Sequence, residues 1–332
     1  MVEFQISTNN QLHTTIIFTK NLTKITMSIS NNIVACIIAL VALSACSSSS
    51  QQESTSESDT SQELKETNDK VSLKKLWETD TSSLLTPESV LHDKTNDILY
   101  VSCINGVPPN AKDNDGYIAK INPEDGSIID PKWVDGLHAP KGMGLYEGTL
   151  YVTNIDELVA IDVATGEVSN RYAVAEAKFL NDITVDDDGN VYFSDSNTNK
   201  IHRLSQTGEL DTWIDDANMG GPNGLFHDGE KMMMATFGSG RFHAIDYTEE
   251  KVEPVVDSIP GGDGVVKVGV DYLVSNWNGE VYYVTSTWEK EKILDTKDMG
   301  ANAADIEFIA DDQKLLVPTF FGNQVVAYTL VK

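Results

Sequence analysis

Glu88, Lys141, Asn181, Asn223, Asp263 and Ala304 recur about every 40 residues, each just before or at the start of an apolar stretch. Four of the six are carboxylates or carboxamides, the oxygen donors that a hard cation such as Ca²⁺ prefers. Lys141 is a fixed positive charge among them. It lowers the attraction of the set for a metal, and it offers either an ion pair that replaces the metal or an anchor for a carboxylate or oxyanion of a ligand. The plainer reading is that these residues cap strand starts and satisfy backbone N–H groups. For Asn223 and Asp263, each followed by a glycine, a turn is a further alternative. Any shared chemistry requires a fold that brings positions this far apart in the chain to one place.

The intervening sequence supplies such a fold. Six short strands of large apolar residues recur with the same period: Leu99-Tyr100-Val101-Ser102, Leu150-Tyr151-Val152-Thr153, Val191-Tyr192-Phe193-Ser194, Met232-Met233-Met234-Ala235, Tyr272-Leu273-Val274-Ser275 and Leu315-Leu316-Val317-Pro318. Turn signals such as Asp188-Gly189 and Asp228-Gly229 precede most copies, and an alternating strand follows each, as in Tyr117 to Ile121 or Phe242 to Asp246. A fourth, more exposed strand usually comes next, as in Asp211-Thr212-Trp213-Ile214. Repeats of four antiparallel strands without helical periodicity predict an all-β, six-bladed β-propeller over residues 73–332. The chain ends after the third strand of the last repeat, while Leu73 to Asp80 reads as a fourth strand with no repeat of its own. It is expected to close the ring by pairing with the last blade.

In a propeller the six recurring positions converge on one end of the axial channel. The loops joining second and third strands belong to the same end, where Phe237, Trp277, Phe320 and Phe321 offer an apolar rim and Ser102 to Gly116 a cover. Other residues read as structural. Cys103 has no partner within the fold, Met232 to Met234 is strand core, His138 is a solvated loop residue, and Asp186 to Asp188 is a hairpin turn rather than a calcium loop.

The N-terminal part reads as an address. Ile33 to Leu43 is an apolar run too short to span a bilayer but suited to a signal peptide, and Leu43-Ser44-Ala45-Cys46 resembles a bacterial lipobox. Residues 1–45 are therefore expected to be a lipoprotein signal and Cys46 an acylated N-terminus. Residues 46–72, rich in Ser and acidic side chains, form a flexible tether. An ordinary secretory signal or a short buried helix is the alternative. Lys20 and Lys24 lie upstream of Met27, so the start codon is either Met1 or Met27. The expected location is the bacterial cell envelope, periplasmic or at the cell surface, with the membrane reached only through the lipid. A formal charge of −27 excludes partners bound by neutralising phosphates, so no nucleic acid is expected. Nothing in the sequence signals oligomerisation, and a monomer is expected.

Pro87-Glu88-Ser89-Val90, Asn181-Asp182-Ile183-Thr184-Val185-Asp186 with Gly189-Asn190-Val191-Tyr192, Pro222-Asn223-Gly224-Leu225 and Gly262-Asp263-Gly264 resemble segments of the senescence marker protein, gluconolactonase and luciferin-regenerating family. A more distant likeness to paraoxonases and diisopropylfluorophosphatase accompanies it. The resemblance covers nearly all of residues 80–332. It implies that Glu88, Asn181, Asn223 and Asp263 stand at divalent-metal ligand positions, with Asn181 a ligand or a substrate contact and Ca²⁺ the expected ion. It also implies hydrolysis of lactones or esters, with Asp263 as base or nucleophile and Lys141 as a departure at a catalytic position. Two other readings stand beside it: a non-catalytic propeller that binds a small molecule or partner at the same face, and a metal-free propeller enzyme.

Overall fold

The computed structural model describes residues 70–332, together with one isolated pair of short antiparallel strands, His13–Ile16 and Ile25–Ser28. The apolar run, Cys46 and nearly all of the tether lie outside the described residues. Within 70–332 the chain forms six four-stranded antiparallel sheets. The innermost strands are Pro87–Asp93, Pro140–Tyr146, Leu180–Val185, Pro222–Asp228, Gly262–Val268 and Glu307–Ile309. Five blades run from the axis outward in chain order. In the sixth, the outermost strand is Ser72–Glu78, paired antiparallel with Val325–Val331, so the expected N-terminal strand closes the ring. At the axis the same joint is closed by the Asp305 N–H, which donates to Glu88 O at 2.9 Å.

The repeated apolar strand has a direct physical cause. Each blade is covered on both faces by its neighbours, so consecutive residues of its second strand enter two different cores. Leu99 and Val101 pack toward the sixth blade, while Tyr100, between them, packs toward the second. Val191 and Phe193 face the second blade and Tyr192 the fourth. Every interface between adjacent blades has its own apolar cluster, and Cys103 is buried in the one between the first and sixth. That environment pushes its thiol up to about 12, which leaves it unreactive at neutral pH. Asp186 accepts hydrogen bonds from the backbone N–H groups of Asp188 and Asn190, which makes the acidic run the hairpin turn expected of it.

The innermost strands do not complete their ladders. In the first five blades the register slips where the site residues lie: at Pro87/Ser89, Pro140/Met143, Leu180/Ile183, Pro222/Leu225 and Gly262/Val265. Each such bulge frees peptide groups that need other partners. Hydroxyls ending the second strands supply them. Ser194 Oγ accepts from the Asp182 N–H at 3.0 Å and donates to Asn223 O of the next blade at 2.8 Å. Ser275 Oγ does the same between the Gly264 N–H and Ala304 O, at 2.8 and 2.7 Å. Thr153 Oγ1 donates to Asn181 O, and Ser102 Oγ accepts from the Ser89 N–H at 3.0 Å. The innermost strands also crowd one another. A Cβ on Gly224 would stand 1.8 Å from Asp263 O, so only glycine fits there.

Ser194→Ala strips partners from two buried peptide groups of adjacent blades and is expected to lower stability by about 2–4 kcal/mol in urea unfolding. Ser286→Ala, at an exposed turn, is expected to stay within about 0.5 kcal/mol of the parent. Equal effects would show that the hydroxyls carry no structural role.

Candidate functional site at the propeller axis

Glu88, Lys141, Asn181, Asn223 and Asp263 line one cavity of about 370 Å³ at the axis. All five are buried. Ala304, at the sixth position, is fully buried and contributes no polar group. The sequence repeat therefore brings together the five polar residues it singled out, from five different blades.

Their hydrogen bonds set which atoms face the cavity unpaired. Asn223 Nδ2 donates to Gly262 O at 3.3 Å, which leaves Oδ1 buried with no hydrogen-bond partner. Glu88 Oε2 is buried and unpaired as well. Asn181 Nδ2 donates to Ser196 Oγ at 3.3 Å, and that hydroxyl is itself tied to Pro222 O at 2.7 Å. Lys141 does not form the ion pair considered from the sequence. Its Nζ donates to Pro109 O at 2.9 Å and Ala139 O at 3.0 Å and lies 4.5 Å from the centre of the Phe179 ring. Those carbonyls draw the ammonium toward the cover loop, and among the described residues no carboxylate oxygen lies within ion-pair distance of it. His138 accepts from the Asn114 N–H through Nδ1 and does not line the cavity.

Burial dominates the electrostatics. It raises Glu88 above the usual carboxylate range, with Lys141 pulling the other way and Asp305 adding to the rise. It raises Asp263 well above that range, reinforced by the charges of Glu88 and Asp305. Burial lowers Lys141, and Glu88 opposes that shift. Each shift reports a charge short of solvation. Two unpaired buried oxygens and two carboxyls with raised proton affinity are the donor set that a hard divalent cation fits. Among the described residues no three His, Cys, Asp or Glu side chains cluster as metal ligands, so such a set is made by two carboxylates and two carboxamides.

A second layer lies directly below, and reasoning from sequence missed it. Asp182 and Asp305 come from opposite blades and line one cavity at the axis, where burial raises both carboxyls and the charge of Asp305 adds to the rise at Asp182. Asp182 also accepts from the Leu225 and Ile183 N–H groups at 2.6 and 2.7 Å, and Asp305 from Ser89 Oγ at 2.6 Å. The cavity that this pair lines has a volume of about 220 Å³ and shares no lining residue with the upper one. The available signal was that the residue after each recurring position is Ser, Gly or Asp and never a large apolar side chain.

The sequence matches no protein-family model and no curated protein. Solved structures do match. A gluconolactonase, XC5397 from Xanthomonas campestris, aligns with a TM-score of 0.59 at 16% identity, over 75% of this chain and 87% of that one. A putative gluconolactonase aligns with 0.58 at 16% identity, over 78% and 92%. A catalytically inactive histidine-to-alanine form of virginiamycin B lyase from Staphylococcus aureus, with quinupristin, aligns with 0.56 at 16% identity, over 79% and 100%. Likeness at these identities establishes the fold, and gluconolactonases share the six-bladed arrangement that the sequence resemblance implied.

Burial raises both Asp182 and Asp305 above the ordinary 3.8, the value at which the unfolded chain releases these protons. The native state therefore holds more protons than the unfolded state above that pH, and stability falls as pH rises. In chelator, Asp305→Asn removes one of these titrations and keeps an acceptor for Ser89. Between about pH 5 and pH 7 its loss of stability in urea unfolding should be smaller than that of the parent by about 1–3 kcal/mol. Parallel pH profiles would contradict the buried acid pair.

Proposed function

We propose that the chain is a divalent-cation-dependent hydrolase of lactones or esters, acting at the upper end of the propeller axis. The observation that carries this reading is the pair of unpaired buried oxygens, Glu88 Oε2 and Asn223 Oδ1, in the cavity that also holds Asp263 and Asn181. Held by Glu88, Asn181, Asn223 and Asp263, a cation such as Ca²⁺ would polarise the acyl oxygen and offset the charge that develops on it. Glu88 and Asp263 supply the negative charge of that donor set, and the neutral amides complete it.

Asp263 is assigned as the general base, because it is a carboxylate at the floor of the cavity, beside the candidate cation position. It takes a proton from water as the water oxygen bonds to the acyl carbon. The proton then passes to the alkoxide oxygen as the acyl–oxygen bond breaks. One water is consumed and a hydroxy acid, or an acid and an alcohol, is formed. Lys141 has spent two of its N–H donors on Pro109 O and Ala139 O, and the third is assigned to an oxygen of the substrate. The cover loop excludes water while that contact is made.

A lyase of the streptogramin type is the less suitable reading. The solved lyase is inactive when a histidine becomes alanine, and no histidine lines the axial cavity here. A non-catalytic binding propeller draws support from Lys141, a buried cation beside the candidate ligands. The sequence features of residues 1–72 support acylation of Cys46, a tether, and attachment to the cell envelope through lipid alone.

With calcium present, the protein is expected to open lactones or cleave small esters in a pH-stat assay. Asp263→Asn is expected to lower kcat by about 100-fold or more, and chelation should abolish turnover until calcium is returned. No turnover of any lactone or ester with calcium, or an undiminished rate in Asp263→Asn, would refute the hydrolase and favour the binding propeller.

A further inference from the structure

The cavity above Glu88, Asn181, Asn223 and Asp263 has a polar floor and apolar walls. Phe237, Trp277 and Phe321 form an aromatic side, and Ile104, Val107 and Pro109 of the cover loop adjoin it, with Ile104 packed in one apolar cluster with Phe320 and Trp277. Trp277, Phe320 and Phe321 pack edge to face, with ring centres 4.9 to 5.6 Å apart, so this side is a built surface. Val107, Phe237 and Phe321 are nevertheless 63%, 47% and 54% exposed. Scattered apolar residues on a surface need no explanation, but several converging on one polar floor do.

The polar groups of the walls are few. The Ser196 hydroxyl is consumed by Pro222 O. Asn197, exposed at the edge, and the indole N–H of Trp277 are the other polar side-chain groups of the walls. A polyhydroxylated ring entering this cavity would give up water from several hydroxyls and find partners for few of them. An alkyl or aryl group would meet apolar surface, and the cavity volume is near the lower end for small-molecule sites.

We propose, resting on the hydrolase reading of the same floor, that the substrate is a lactone or small ester bearing an apolar substituent, and that sugar lactones are rejected. The reacting acyl group lies at the polar floor, and the substituent lies against the cover loop and the aromatic side of the mouth. Specificity is then set by Phe237 and Phe321, which touch the substituent and have no part in the proton transfers.

The test compares γ-nonalactone, γ-butyrolactone and glucono-δ-lactone as substrates of the full chain with calcium. It also measures binding of the non-hydrolysable γ-nonalactam and gluconolactam by calorimetry. The expected kcat/KM for γ-nonalactone exceeds that for glucono-δ-lactone by about 100-fold or more, because each buried methylene contributes about tenfold. γ-Nonalactam should bind at one site and gluconolactam should not. Phe237→Ser with Phe321→Ser, at half-exposed positions, should lower the ratio of nonalactone to butyrolactone kcat/KM about tenfold and weaken γ-nonalactam. Binding of γ-nonalactam without turnover of any lactone would sink the hydrolase reading while upholding the apolar ligand class. Equal or preferred turnover of glucono-δ-lactone, or no binding of γ-nonalactam, would overturn the proposal.

Discussion

Four carboxyl groups, Glu88, Asp182, Asp263 and Asp305, are buried along the axis of this propeller, and the one buried lysine beside them, Lys141, is turned toward backbone carbonyls. Buried charge of one sign is costly unless it is neutralised by protons or by a cation. The rest of the structure is arranged around that constraint. Ladder bulges aim consecutive residues of the innermost strands at the axis, and hydroxyls from the second strands hold the peptide groups those bulges release. The interfaces between blades, each with its own apolar cluster, keep the innermost strands close enough for carboxyls of opposite blades to line one cavity.

The two layers of the axis meet this constraint differently. In the lower layer Asp182 is held by backbone N–H groups and Asp305 by the Ser89 hydroxyl, and burial raises the proton affinity of both. That layer has its partners within the protein. In the upper layer Glu88 Oε2 and Asn223 Oδ1 are left unpaired, beneath a mouth lined by aromatic side chains. A floor short of a positive partner, under walls short of polar ones, is suited to a ligand with a reactive polar end and an apolar body. Lys141 joins the upper layer to the mouth, because it lines the same cavity, bonds the cover loop at Pro109 and stands beside Phe179.

Much of this was legible in the sequence, for identifiable reasons. The second strands announced the repeat because a blade covered on both faces needs apolar residues at consecutive positions, as in Leu99-Tyr100-Val101. The ring closure was legible because Leu73 to Asp80 was a strand without a repeat. Glu88, Asn181, Asn223 and Asp263 were found because each precedes its apolar run at the same offset. Asp182 and Asp305 were not, since ordinary strand alternation sends neighbouring residues to opposite faces and a bulge undoes that rule. The direction of Lys141 was also hidden. Proximity of opposite charges suggested an ion pair, whereas carbonyls from Pro109 and Ala139, set by the path of the backbone, took the ammonium.

The central claim is that the unpaired oxygens of the upper layer are a cation site. Titration of the full chain with calcium by calorimetry, after exhaustive chelation, addresses it most directly. The account predicts one saturable site that disappears in Asp263→Ala and persists in Asp305→Asn, because only the upper layer holds the ion. No binding even at millimolar calcium, or binding indifferent to Asp263, would contradict it and leave the axis as a ligand site organised by Lys141.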